Sequence, residues 1–270
     1  MLMTNFLKNR RSVREFKNKK VDVKVLEKID EYLKELENQE GSRSILFNIY
    51  KNGEDIYRSL KGIGGYSGVM IESPHYIGIE LVNNEERVAI YSSYYMEKLI
   101  TKLNDLGIAT CWISLMDVDD NKKKDILGST IGQTNYLLAI GYPKPKNPFI
   151  NEAFSERLGI EEIVFNEEIE KPMDIEELEA MGLSDLFYYV RFAPSAYNKQ
   201  PWRFLVERDK VTLLLAYSKE EDLNLADAGI IMYYFEALAS SIGINSKWEL
   251  INGVHKTKEC HYKYIGEFNL

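Results

Sequence analysis

Two stretches of this sequence carry residue types that could do chemistry. The first is Arg10-Arg11-Ser12-Val13-Arg14-Glu15-Phe16. In an extended chain Arg10, Ser12 and Arg14 fall on one side, because strand side chains alternate. Two guanidinium groups and a hydroxyl there suit a phosphate or an electron-rich ring edge, since arginine offers fixed forked donors and a permanent charge. A bare Arg-Arg also fits a solvated basic tail; Ser12 and Phe16 favour the first reading. The second stretch is Pro194-Ser195-Ala196-Tyr197-Asn198-Lys199-Gln200-Pro201-Trp202. Each proline fixes its own φ and biases the residue before it away from helix, so the backbone is pinned. Ser195 and Asn198 then present short polar groups from a stiff loop. The same composition also fits an ordinary helix-to-strand turn.

The elements that must position these stretches follow from local pattern. Residues 4–9 read as a helical lead-in and 10–16 as an extended or irregular segment. Asp22 is a candidate N-cap for a helix to about Asn38, with Leu26, Ile29, Leu33 and Leu36 at helical spacing. Ile45–Tyr50, His75–Val82, Ile108–Leu115 and Tyr136–Ile140 read as strands, and Ile90–Leu106 as a long helix stopped by Gly107. Gly62-Ile63-Gly64-Gly65 is a flexible break without the Lys-Ser/Thr of a phosphate loop. Lys144 to Pro148 is a polar connector. Asp174 opens a second helical region, and Leu183–Phe192 reads as helix. Arg203–Val206 and Val211–Tyr217 read as strands, and 226–242 as a second long apolar helix.

Composition bounds the function. At 270 residues, 45% hydrophobic and 28% charged, the chain has ordinary globular values and could form one large domain or two small ones. A net charge of −8 argues against a nucleic-acid binder, whose footprint is a basic stripe. No apolar run reaches the roughly 18 residues of a membrane helix, and the N-terminus lacks the apolar region of a secretion signal. Cys111 and Cys260 form no disulfide framework, which points to a reducing, cytoplasmic setting. No Gly-x-Ser-x-Gly elbow supplies a nucleophile. His255, Cys260 and His261 lack regular zinc spacing, so no metal is expected, and His75 reads as structural.

The two long helices superpose at a constant offset of 136 residues (Met96 to Met232). The offset carries Gly107 onto Gly243, Ile108 onto Ile244 and Trp112 onto Trp248. Such continuity through helix, glycine stop and tryptophan points to an internal repeat; two unrelated amphipathic helices are the plainer alternative.

The wording Ala-Pro-Ser-x-x-Asn-x-Gln-Pro-Trp at 193–202, with Arg-x-Ser-x-Arg at 10–14, resembles the signature pair of the FMN-dependent nitroreductase family. In that family the proline loop lies a couple of dozen residues after the arginine motif; here it lies some 180 residues after it (194 − 14). Ser155-Glu156-Arg157-Leu158 and Glu161-Glu162-Ile163-Val164 resemble the passage closing the family's phosphate site. The resemblance implies an α+β fold of two diverged halves, 1–166 and 167–270. Each half carries a mostly antiparallel sheet flanked by helices, and together they mimic the family's homodimer. One half keeps the arginine motif and the other the proline loop, so a single composite site per chain is expected, with the second pseudo-site empty.

The resemblance also implies roles. Arg10, Arg11, Ser12 and Arg157 hold the phosphate of FMN, and Arg14 lies near the pyrimidine edge as an electrostatic stabiliser. The backbone N–H groups of Ser114 and Leu115 face flavin N5, and Pro194, Ser195, Ala196 and Asn198 cover ring and tail. No catalytic side chain is required, because the flavin does the chemistry. NADH or NADPH then passes hydride through N5 to a nitroaromatic, quinone or similar small molecule, in a monomer with an internal pseudo-two-fold axis. A non-catalytic flavin-binding sensor or store is the alternative. The sequence departs from the family at Ser155, where a cation is usual, at Leu115, where glycine is common, and at the ribityl contact, nearest which stand Tyr66 and Ser67.

Overall fold

The computed structural model describes residues 2–39, 42–128, 132–145 and 155–270. Residues 146–148 of the expected connector lie outside the described residues. The chain divides into two compact units, residues 11–152 and residues 1–10 with 153–270. The N-terminal helix α1 (Met3–Asn9) therefore belongs with the C-terminal part of the chain, and so does the stretch 155–166.

The 11–152 unit contains α2 (Val23–Glu37), β1 (Ile45–Tyr50), α3 (Gly53–Leu60), β2 (His75–Leu81), α4 (Glu86–Asp105), β3 (Ala109–Ser114), α5 (Asp120–Leu127) and β4 (Gln133–Gly141). Its four strands are antiparallel in the order β1-β2-β4-β3. β2 is buried at every position, which demands cover on both faces. α3 and α4 both pack on it. On one face Ile56 and Leu60 of α3 meet Tyr76, Leu137, Ile113 and Phe16. Asp22 does sit at the start of α2, but its side chain does not cap. It lies 3.5 Å from Lys19 and accepts the Tyr142 hydroxyl at 3.1 Å. The short helices α3 and α5 are not marked by the sequence pattern. α5 carries only Lys123 and Leu127 buried, so its apolar period is faint.

The other unit adds α6 (Ile160–Ile163), β5 (Val164–Asn166), α7 (Ile175–Ala180), α8 (Ser184–Val190), β6 (Trp202–Val206), β7 (Lys210–Tyr217), α9 (Leu225–Ser241), β8 (Glu249–Leu250), β9 (Val254–Lys256) and β10 (His261–Asn269). Its sheet runs β5-β6-β7-β10-β8, with β9 also on β10. Only the β5–β6 pair is parallel. The sequence of α9 is apolar nearly all round, and it is buried at twelve of its positions from Ala226 to Ala239. Phe235 of α9 anchors the core against Phe187, Phe204, Trp248 and Phe268, at centroid distances of 5.0–5.8 Å. α1 packs on α8 and α9, where the Phe6 ring meets Tyr234.

The repeat is visible bond for bond. Strand order β6-β7-β10-β8 reproduces β1-β2-β4-β3, and α9 joins β7 to β8 as α4 joins β2 to β3. Each long helix ends on a left-handed glycine, Gly107 (φ 72°) and Gly243 (φ 92°). Ile108 N–H donates to Leu103 O and Gly107 N–H to Asn104 O; Ile244 N–H donates to Ala239 O and Gly243 N–H to Ser240 O. Both are the same glycine-terminated closure of the last turn, in which the chain reverses and the orphan carbonyls are satisfied. The halves diverge beyond it. Trp112 Nε1 donates to the buried Glu97 carboxylate at 2.8 Å, whereas Trp248 Nε1 donates to Met232 O at 3.1 Å. Position 233, the counterpart of Glu97, is a tyrosine.

Candidate functional site

Between α8 and β6 the chain makes a turn that its prolines do not hold alone. Tyr197 (φ 54°), Asn198 (φ 57°) and Gln200 (φ 49°) are non-glycine residues in the left-handed region. Each costs on the order of 1 kcal/mol and persists only where the surroundings impose it. They are imposed by side chains. Asn198 Oδ1 accepts from Arg157 Nη1 at 2.9 Å, and its Nδ2 donates to Glu156 O at 3.0 Å. Gln200 Oε1 accepts from Leu158 N–H at 3.0 Å, and its Nε2 donates to Glu156 O at 3.2 Å. Ser195 Oγ accepts from Gln200 N–H, and Ala196 N–H donates to Asp227 Oδ1, both at 2.9 Å. The motif residues Ser195, Asn198 and Gln200 therefore build the loop itself and tie it to 156–158.

Arg157 is the electrostatic centre of this arrangement. It is half-buried, donates from Nη1 to Ala193 O at 3.0 Å as well as to Asn198, and has no ion pair among the described residues. Burial lowers its pKa, and the charges of Arg10 and Arg191 lower it further. Arg191 crosses back to donate to Leu158 O at 3.3 Å and lies over the Tyr188 ring at 4.8 Å. Three guanidinium groups thus concentrate positive charge within one unit of an acidic protein, a setting that favours an anion.

In the 11–152 unit the segment after Arg11 is extended. Val13 N–H donates to Thr110 O at 2.9 Å, and Lys17 N–H donates to Tyr142 O at 2.8 Å, which lays the segment along β3 and the end of β4. Arg11 and Arg14 are exposed and Ser12 is half-buried. At the end of β3, Leu115 N–H is already spent on Asn135 O at 2.8 Å. Strand alternation then turns the Ser114 N–H to the open edge of β3, so Ser114 is the residue with a main-chain donor to offer there. The glycine-rich break at 62–65 is an ordered turn. Gly65 (φ 80°) donates its N–H to Ser114 O at 2.9 Å, and Tyr66 bridges to Val69. Tyr66, Val69 and Met116 project exposed beside this strand end.

A family described as "Putative TM nitroreductase" matches residues 3–239. The chain belongs to this family. A Thermotoga maritima crystal structure described as "a putative nitroreductase" is similar at 19% identity over 98% of this chain and 94% of that one, with a TM-score of 0.59. The likeness extends along nearly the whole length of both chains. Shorter nitroreductases match about half of it. One is an FMN-dependent nitroreductase from Clostridium difficile, with 24% identity, 54% of this chain, 91% of that chain and a TM-score of 0.45. Another is a nitroreductase with bound FMN from Bacteroides fragilis, with 17% identity, 57% and 94% coverage and a TM-score of 0.46. A comparison with curated proteins finds no match.

Among the family's motif residues in this chain, Arg10, Arg157, Pro194, Ser195, Ala196 and Asn198 lie in the C-terminal unit. Arg11, Ser12, Arg14, Ser114 and Leu115 lie in the 11–152 unit. Sequence reasoning missed Arg191 and Asp227, and read Gln200 as part of the motif without giving it a role. Arg191 ends a short helix with no pattern around it, and Asp227 stands in the first turn of a largely apolar helix, which is its only signal. No helix is long and apolar enough to cross a membrane, and no three His, Cys, Asp or Glu side chains gather as a metal site among the described residues.

Proposed function

We propose that this protein is an FMN-dependent NAD(P)H oxidoreductase with one flavin per chain. The observation that carries the reading is the cationic nook at Arg157. A half-buried guanidinium flanked by Arg10 and Arg191, tied down by the proline-loop asparagine, is costly unless an anion accompanies it. That donor set fits the phosphate of FMN. When bound, FMN supplies the hydride relay from a nicotinamide to an acceptor, chemistry no side chain here could replace.

In this reading the chain's own residues bind and orient. Arg10 and Arg157, with Arg11 and Ser12, hold the phosphate. Arg14 supplies a fixed positive charge that favours the electron-rich flavin. Ser114 and Leu115 line the N5 side, with the Ser114 N–H as donor. Pro194, Ser195, Ala196 and Asn198 form a cover held rigid by 156–158, which excludes water from the ring face. The acceptor is a small nitroaromatic, quinone or similar molecule. The halves 1–166 and 167–270 are a tandem duplication, and the protein works as a cytoplasmic monomer with Cys111 and Cys260 not joined in a disulfide.

The test is the flavin-to-chain ratio of FMN-saturated protein, with the visible spectrum followed on adding NADH or NADPH under argon. One FMN per 31.3 kDa chain and rapid bleaching support the reading. One FMN without bleaching leaves a flavin-binding protein, and no FMN refutes it.

A further inference from the structure

Gln200 is a buried side chain of the 194–200 loop, 5% exposed, with its backbone in the left-handed region at φ 49°. Its main chain is fixed at both ends. The N–H donates to Ser195 Oγ at 2.9 Å, and the carbonyl accepts from Arg203 Nη1 at 3.0 Å. The side-chain amide then spans one residue of another segment. Oε1 accepts from Leu158 N–H at 3.0 Å, and Nε2 donates to Glu156 O at 3.2 Å and to Asn198 O at 3.3 Å. An N–H on one side and a carbonyl on the other fix which way the amide faces. The residue between those two peptide groups is Arg157. We propose that Gln200 is a positioning residue for Arg157, and that through it the loop sets a preference for phosphorylated over unphosphorylated flavin. The proposal deepens the reading above and rests on it for the identity of the anion.

A tie that served the loop alone could end on any backbone; this one brackets the cation. Glu156 O also accepts from Asn198 Nδ2 at 3.0 Å, and Leu158 O accepts from Arg191 Nη1 at 3.3 Å, so the main chain is held on both sides of Arg157. With the backbone held, the side chain has only a few staggered directions to take. Arg157 Nη1 reaches Ala193 O and Asn198 Oδ1, and among the described residues both of its hydrogen bonds come from that one nitrogen. The rest of the fork is aimed with its torsions already fixed. An arginine ordered before its ligand arrives binds more tightly than one the ligand must order. Asn198 acts on the guanidinium directly. Gln200 touches only the main chain around it, so its effect on an anion passes through Arg157. A ligand without a phosphate does not draw on that effect.

The experiment measures the dissociation constants of FMN and of riboflavin by flavin fluorescence. The proteins are the wild type, Gln200→Met, Arg157→Gln and the double variant. Methionine matches glutamine in length and lacks the amide, so it removes the clamp while filling its space. Gln200→Met should weaken FMN binding about tenfold, the loss of one charge-assisted bond, and riboflavin binding by no more than about twofold. In the Arg157→Gln background the same substitution should change FMN affinity by no more than about twofold, because the residue it positions is gone. Equal losses for FMN and riboflavin would make Gln200 part of the cover only. Losses at 157 and 200 that add would make it independent of Arg157. Either result overturns the proposal, and additivity alone decides it where riboflavin binds too weakly to measure. Tryptic cleavage after Arg157, followed by mass spectrometry on protein without flavin, should be faster in Gln200→Met. If the wild type binds no FMN, the flavin reading fails, and unchanged cleavage would then overturn the clamp as well. Should Gln200→Met not fold, Gln200→Asn, one methylene too short to reach both peptide groups, is read in the same way.

Discussion

His75 sits 1% exposed at the start of β2, with both ring nitrogens engaged. Nε2 accepts from Val21 N–H at 3.1 Å, and Nδ1 lies 2.9 Å from Lys51 O. An N–H on one side and a carbonyl on the other select the neutral tautomer with its proton on Nδ1. Burial lowers the pKa below 6.5; the Lys51 carbonyl acts against this, and the charges of Lys20 and Lys51 reinforce it. The folded state thus binds fewer protons than the unfolded one below pH 6.5. The stability His75 contributes is complete above that value and is lost as pH falls from it toward the folded pKa. His75→Phe strands the Val21 N–H and the Lys51 carbonyl. At about 1–3 kcal/mol for each group left unpaired, the cost is about 2–6 kcal/mol at pH 8. Urea unfolding of both proteins at pH 8 and pH 5.5 measures this. The gap should be that large at pH 8 and narrower at pH 5.5, where the wild type has lost part of its advantage. Ring ¹⁵N NMR should show the proton on Nδ1. A gap equal at both pH values, or a proton on Nε2, refutes the reasoning.

Three further outcomes are expected. Gly65→Ala should cost on the order of 2–4 kcal/mol in urea unfolding, because φ is +80° and a Cβ there would run into the Val69 carbonyl oxygen. A loss below 0.5 kcal/mol (roughly the noise of a surface substitution) would mean that the turn at Ser114 is soft. Phe235→Ala opens a cavity among four aromatic rings and should cost about 3–5 kcal/mol by the same measurement. Asn198→Gly keeps the left-handed backbone but removes the ties to Arg157 and Glu156. FMN affinity should fall about tenfold while global stability changes little, the energy of one charge-assisted bond; unchanged affinity would show that the tie is not needed.

Much of this fold is legible in local pattern because its signals are local. Residues 75–81 form one apolar run, α2 repeats its apolar residues every three or four positions, and each long helix stops at a glycine that alone tolerates the reversal. The offset between Met96 and Met232 announced a repeat that the two strand orders reproduce. α5 stayed hidden because it buries few side chains and so leaves little period, and α3 because its buried Ile56 and Leu60 repeat only once in eight residues.

Sequence alone determined which residue types could hold an anion and which loop is stiff, because those properties belong to the residues. Only the tertiary structure decided their partners. It assigns Arg10 and Arg11 to different units, gives Asn198 and Gln200 to segment 156–158, spends the Leu115 N–H on Asn135, and hands the Ala196 N–H to the buried Asp227. Hydrogen bonds and desolvation depend on what lies within a few ångströms. Residues 42 positions apart, such as Asn198 and Glu156, meet there only because the sheet and the helices around it bring the two segments to the same place.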